Sequence, residues 1–242
     1  MSIGFWPEGK VAALSLTFDD ARPSQVDHGL PLLDSYGVQA TFYVSIQPMR
    51  DRKTEWEQAI KNGHEVGNHT FNHPCSGNFS FARHKPLEEY NLEQMRDEIL
   101  KANSCIEQEL GIQPKTFAYP CGQKFVGRSK DVKSYVPLVA EYFLVGRDAF
   151  NEVPNDPTFT DLAQVTALDM DDVTFETVQL YLDYARKNNS WLIFLGHEIS
   201  HQGKQTVNIP VLEKLCQFLK KGDIWVDTVE NIGTYVNQKR SI

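Results

Sequence analysis

Four short stretches of this chain carry residues whose types and spacing suit hydrolytic chemistry. The first is Thr17-Phe18-Asp19-Asp20, in which two carboxylates end an apolar run. In such a pair one carboxylate is free to bind a metal while its neighbour acts as a base. Side chains alternate along a strand, so both reach one site only where the strand breaks, and Ala21-Arg22-Pro23 supplies a break. Asp is also a common helix N-cap, and the pair by itself fits that plainer role. The second stretch is Asn68-His69-Thr70-Phe71-Asn72-His73. Its two histidines have the spacing that sets two imidazoles on one side of a tight turn, as a shared metal requires; two surface histidines are the alternative. Asp20, His69 and His73 together make a two-histidine, one-carboxylate set that leaves a coordination position for water.

The third stretch, Phe117-Ala118-Tyr119-Pro120-Cys121-Gly122, is a turn able to aim a backbone N–H at a developing oxyanion. Tyr119 there could line a sugar site through its ring or fill the interior, and Cys121 by default is a small buried residue. The fourth is Leu195-Gly196-His197, a polar residue ending the most apolar run of the chain. A lone histidine in that place is structural; beside a metal it becomes a candidate general acid.

These stretches need a scaffold that gathers them, and the hydrophobic pattern describes one. Val11–Phe18, Ala40–Val44, His64–Gly67, Thr116–Tyr119, Phe143–Gly146, Gln164–Leu168, Trp191–Leu195 and Ile224–Val226 read as strands. Between them, Pro23–Tyr36, Thr54–Asn62, Pro86–Leu110, Lys130–Tyr142, Phe175–Asn189, Ile209–Lys221 and Thr228–Asn237 read as helices. Strand–helix alternation implies a parallel sheet with helices outside. Seven to eight units favour an α/β barrel, closed or nearly so, whose active site lies at the C-terminal ends of the strands. No linker or repeat divides the chain, so one domain over residues 1–242 is expected.

Composition narrows the function. With 24 basic and 32 acidic residues the net charge is −8, and no basic block suggests nucleic acid. No run approaches the apolar length of a membrane helix. The segment Met1–Lys10 has neither a basic region nor an apolar one, so no signal peptide is read and a cytoplasmic location is expected. Cys75, Cys105, Cys121 and Cys216 are widely spaced and form no CxxC pair, which suggests free thiols in a reducing compartment. His28, His84 and His201 sit in polar contexts and read as solvated, His64 as structural, and Trp56, Trp191 and Trp225 as packing residues.

The ordered set TFDD, HTFNH, FAYPCG and LGH resembles the NodB-homology polysaccharide deacetylases, carbohydrate esterase family 4. The resemblance runs from about Val11 to His197, and Gly63–His73 (GHEVGNHTFNH) is its most specific piece. It implies a distorted (β/α) barrel of about seven strands with a divalent metal, usually zinc. Carried over, Asp19 would be the catalytic base, Asp20, His69 and His73 the metal ligands, and His197 the catalytic acid. Two departures stand out. Ala118 occupies the place of an arginine that in the family orients the catalytic Asp, so Asp19 would depend on the metal and on burial; Cys121 replaces a tyrosine. The family's acidic motif is only echoed by Asp169-Met170-Asp171-Asp172, of which Asp169 or Asp171 would orient His197, while at least two of the acids read as ordinary loop and helix-cap residues.

The expected activity is hydrolysis of a non-peptide C–N bond, foremost N-deacetylation of an N-acetylated sugar. Opening of a small cyclic amide or ureide is the second reading, suggested by Ala118 and by the absent leader. A non-catalytic carbohydrate-binding protein is the third.

Overall fold

The computed structural model describes residues 4–241; the start of the segment read for a leader, Met1–Ile3, lies outside them. Eight parallel strands form the main sheet: β1 (Ala12–Asp19), β2 (Thr41–Val44), β3 (Glu65–Asn68), β4 (Thr116–Ala118), β5 (Val145–Arg147), β6 (Leu168–Asp169), β7 (Trp191–Gly196) and β8 (Ile224–Val226). Seven run in the order β5-β4-β3-β2-β1-β7-β6, and β8 pairs with the first half of β1, below β2. The sheet curls so far that the ends of the series approach: Asp148 N–H donates to the Val165 carbonyl and Val165 N–H to that of Gly146, both at 2.8 Å. This is the distorted barrel that the family resemblance implies, and it agrees with the nearly closed barrel expected from strand–helix alternation.

All eight residues of β1 are buried, as a central strand covered on both faces must be. Helices clothe the outside: α1 (Leu30–Tyr36), α2 (Ile46–Asp51), α3 (Lys53–Lys61), α4 (Leu92–Leu110), α5 (Val136–Tyr142), α6 (Phe175–Asn188), α7 (Ile209–Leu219) and α8 (Val229–Arg240). In α4, Asn91 and Gln94 form a reciprocal capping box and Gly111 ends the helix in the left-handed region. That cap explains why α4 starts at Leu92 and not at Pro86. The helix expected from Pro23 begins there and widens into a π-helical turn, Gln25–Gly29, before α1; Pro31 has no N–H to donate to the preceding turn. The end of α8 plugs the barrel floor: its Val229 and Glu230 N–H groups donate to Thr41 Oγ1 and Glu65 Oε2, each at 2.9 Å. Burial pushes the Glu65 carboxyl up to about 7, against hydrogen bonds from Thr116 and Thr41 that favour its charged form.

Candidate active site

Asp19, Asn68, Ala118, Arg147, Asp169 and Gly196 end six of the parallel strands, so the residues after them meet at one rim. The strand break at the Asp pair comes one residue earlier than expected: Asp20 has φ 77° and Ala21 φ 53°. The chain turns between the two carboxylates, and both face the same cavity. Thr70, His73 and Cys121 also hold positive φ, at 64°, 52° and 54°. Backbone conformations of this kind cost about 1–3 kcal/mol each and persist where the surrounding structure enforces them.

Asp20, His69 and His73 come together as a set. His69 Nε2 and His73 Nε2 are 3.1 Å apart, and Asp20 Oδ1 lies 3.7 and 3.6 Å from them. Neighbouring ligands around one ion with bonds of about 2.0–2.2 Å have such spacings. His69 Nδ1 donates to the Ala118 carbonyl at 2.9 Å, a tautomer that leaves the Nε2 lone pair free to hold a metal. Burial, with His69 adjacent, pushes His73 down to about 4 and favours the neutral imidazole that a metal needs. Burial would raise Asp20, but His69, His73 and Arg22 outweigh it and hold the carboxyl down to about 2. Arg22 reaches Asp20 Oδ2 at 3.0 Å and so leaves Oδ1 facing the histidines. The donor set fits a divalent cation such as Zn²⁺.

Asp19 is 4% exposed, and its Oδ2 stands 3.8 Å from His69 Nε2. Its Oδ1 accepts from Arg147, a fully buried residue that also covers the Tyr43 ring at 4.9 Å. The expectation that Asp19 lacks an arginine partner is therefore corrected. Arg147 pairs in register with Ala118 and fills the role from the neighbouring strand.

On the opposite wall, His197 Nδ1 donates to Asp171 Oδ2 at 2.6 Å, and Asp171 Oδ1 accepts the His197 backbone N–H at 3.0 Å. Burial lowers His197, but Asp171 and the Asp19 and Asp20 carboxylates prevail and raise it above the ordinary histidine value. Asp169 acts one step behind, accepting the Asp171 N–H at 2.9 Å; burial raises its own carboxyl. Gln25, which the sequence pattern did not single out, ties the two walls. Its Nε2 donates to the backbone carbonyls of Asp19 at 2.6 Å and His197 at 2.8 Å.

The Pro120–Gly122 turn presents Cys121 to the cavity, but not as a free thiol. Cys75 and Cys121 form a disulfide, which corrects the expectation of four reduced cysteines; Cys105 and Cys216 are free and buried. Tyr119 is 1% exposed and donates its hydroxyl to the Ala163 carbonyl at 2.6 Å, and it also borders the site cavity, so its ring fills the interior beneath the site. The exposed rings at the cavity mouth are Phe79, Phe81 and Phe150. His64 is structural, accepting the Ala40 N–H at 3.1 Å, and His28, His84 and His201 are exposed, as read.

The family model for polysaccharide deacetylases matches residues 7–136, more than half of the chain. The chain belongs to the polysaccharide deacetylase family. A peptidoglycan-N-acetylglucosamine deacetylase of Listeria monocytogenes is 28% identical over 110 residues, 45% of this chain and 21% of that protein. The chain thus aligns with about a fifth of that curated relative's length. Among solved structures, a candidate polysaccharide deacetylase from Mycobacterium smegmatis superposes with a TM-score of 0.71 at 16% identity, covering 97% of this chain and 93% of that one. A carbohydrate esterase family 4 pseudoenzyme from Bacillus anthracis superposes at 0.59 and 16% identity, covering 91% and 65%. Likeness at that identity establishes the deacetylase fold, and the chemistry rests on this chain's own residues.

Among the described residues, no helix is long and apolar enough to cross a membrane.

Proposed function

We propose that this chain is a metal-dependent hydrolase that removes the acetyl group from an N-acetylated sugar unit. The observation that carries the reading is the arrangement around one small cavity. A metal-ligand set, a buried carboxylate and a carboxylate-backed histidine face it together. A divalent cation held by Asp20, His69 and His73 would polarise the amide carbonyl and lower the pKa of an attacking water. Asp19, oriented by Arg147, takes the proton from that water as the C–O bond forms. The Cys121 backbone N–H donates to the oxyanion. His197, kept protonated by Asp171, gives its proton to the leaving amine, and acetate and a free amino sugar result.

The cavity is small, about 160 Å³, which suits the acetamido group and leaves the sugar ring against the phenylalanines at the mouth. Two observations favour the sugar over a cyclic ureide. Arg147 restores the charge partner whose loss at Ala118 suggested the ureide, and the Cys75–Cys121 disulfide fits an oxidising compartment better than the cytoplasm. A binder without turnover would have no use for the Arg147–Asp19 and Asp171–His197 pairs.

Assays of acetate release from N-acetylglucosamine oligomers and of ring opening of allantoin and hydantoin, run on the same zinc-loaded protein, separate these readings. Acetate release alone is expected. Ring opening without acetate release would replace the sugar by the ureide, and glycan affinity with neither reaction would make the chain a binder.

A further inference from the structure

His73 turns its two ring nitrogens to different neighbours. Nε2 faces His69 Nε2 at 3.1 Å and Asp20 Oδ1 at 3.6 Å. Nδ1 faces the Cys75 sulfur at 3.7 Å, and Cys75 is bonded to Cys121. The two histidines of the ligand set differ in this respect. The far nitrogen of His69 is pinned by the Ala118 carbonyl, whereas that of His73 faces the Cys75 sulfur. The ligand atoms of His73, Cys75 and Cys121 lie within 4.8 Å of one another, as do those of Asp20, His69 and His73. One imidazole therefore stands between two groups, each compact enough to hold an ion.

We propose that reduction of the Cys75–Cys121 disulfide opens a second metal site, made of Cys75, Cys121 and His73 Nδ1, for a thiophilic divalent cation such as Zn²⁺ or Co²⁺. A dithiol supplies the two electrons and two protons: the Cys75–Cys121 S–S bond breaks, two protein thiols form, and the reductant closes into its own disulfide. On binding the cation both thiols release their protons to solvent and bind as thiolates. Two sulfurs and one imidazole nitrogen leave a fourth position for water in a tetrahedral site. Thiolates hold such ions more firmly than the single carboxylate of the first set does, so in the reduced chain the sulfur site competes for His73. The disulfide thus reserves His73 for Asp20 and His69.

The sulfurs sit at the rim of the barrel and outside its main apolar cluster, so the reduced chain is expected to stay folded. The test uses Co²⁺, whose bonds to thiolate give an intense near-ultraviolet charge-transfer band. Reduction is taken to completion, when thiol titration in denaturant counts four per chain: the two free cysteines plus the two released. Reduced, folded protein is expected to develop the band on adding Co²⁺ alone, and the oxidised protein is not. The double variant Cys75→Ser/Cys121→Ser should lack the band under reducing conditions while still binding Co²⁺ through nitrogen and oxygen. The proposal is overturned if the reduced wild type shows no band, if the double variant keeps it, or if circular dichroism shows the reduced chain unfolded. None of these readouts involves turnover, so they stand apart from the assignment of the substrate.

Discussion

Arg147 lies opposite Ala118 in the register between β4 and β5, and its buried guanidinium closes on the carboxylate of Asp19. The position where the family carries an arginine is thus empty of charge, and the charge comes from the adjacent strand. A guanidinium from either strand reaches the same carboxylate, because paired residues in a parallel ladder stand side by side.

Arg147→Ala should therefore leave Asp19 as an unpaired buried charge and destabilise the fold by about 3–5 kcal/mol. Activity should fall with it. The double variant Arg147→Ala/Ala118→Arg should recover part of both, read by denaturant unfolding and by kcat/KM. Wild-type activity in the single variant would show that Asp19 does not need Arg147.

The two roles proposed for the Asp pair separate by measurement. Asp19→Asn keeps the ligand set and loses the base, so kcat should drop by about 10²–10⁴ with metal content unchanged. Asp20→Asn should lose metal first, because an amide oxygen is a weaker ligand than a carboxylate. Elemental analysis beside turnover decides; metal loss in the Asp19 variant with full activity in the Asp20 variant would reverse the assignment.

How far the sequence reveals this site depends on whether a residue's partner is near it in the chain. Asp19, Asp20, His69, His73 and His197 were legible as candidates because each ends a strand or follows one within a short motif, and strand ends converge in a parallel barrel. Asp171 was half legible, as one of several acids in a loop. Arg147 was not, since its meaning depends on which strand lies beside β4, and register is absent from a single sequence. Its only signal is a cation ending the apolar run Phe143–Gly146. Gln25 gave no signal at all, because it acts through two backbone carbonyls, one of them 172 residues away. The disulfide joins cysteines 46 residues apart, and spacing alone could not pair them. Fold class was legible from strand–helix alternation, whereas the start of α4 was not, because its cap overrode periodicity.

The pH dependence should carry the mark of His197. Its pKa is raised, so the protonated acid persists to higher pH than for an ordinary histidine, and the rate falls as pH rises through that value. Asp171→Asn removes the main support for the charged form, so the alkaline fall should move to lower pH. An unmoved alkaline limb would mean that another group donates the proton to the amine.

The rings at the cavity mouth should matter for binding and not for chemistry. Phe81 and Phe150 are 59% and 57% exposed at the cavity mouth, which leaves their faces free to pack on a sugar ring. Phe81→Ala and Phe150→Ala should each raise KM for N-acetylglucosamine oligomers several-fold, on the scale of about 1 kcal/mol per ring, with kcat nearly constant. Unchanged KM in both variants would place the sugar elsewhere.

In the proposed function a single ion at Asp20, His69 and His73 makes the oxidised chain a deacetylase. The most direct measurement is acetate release from N-acetylglucosamine oligomers by chelator-stripped protein as Zn²⁺ is returned in steps. Activity should be absent at the start, rise in proportion to bound zinc and level off at one ion per chain, and His69→Ala should neither bind that ion nor respond to it. Undiminished acetate release by stripped protein that contains no measurable metal would contradict the account.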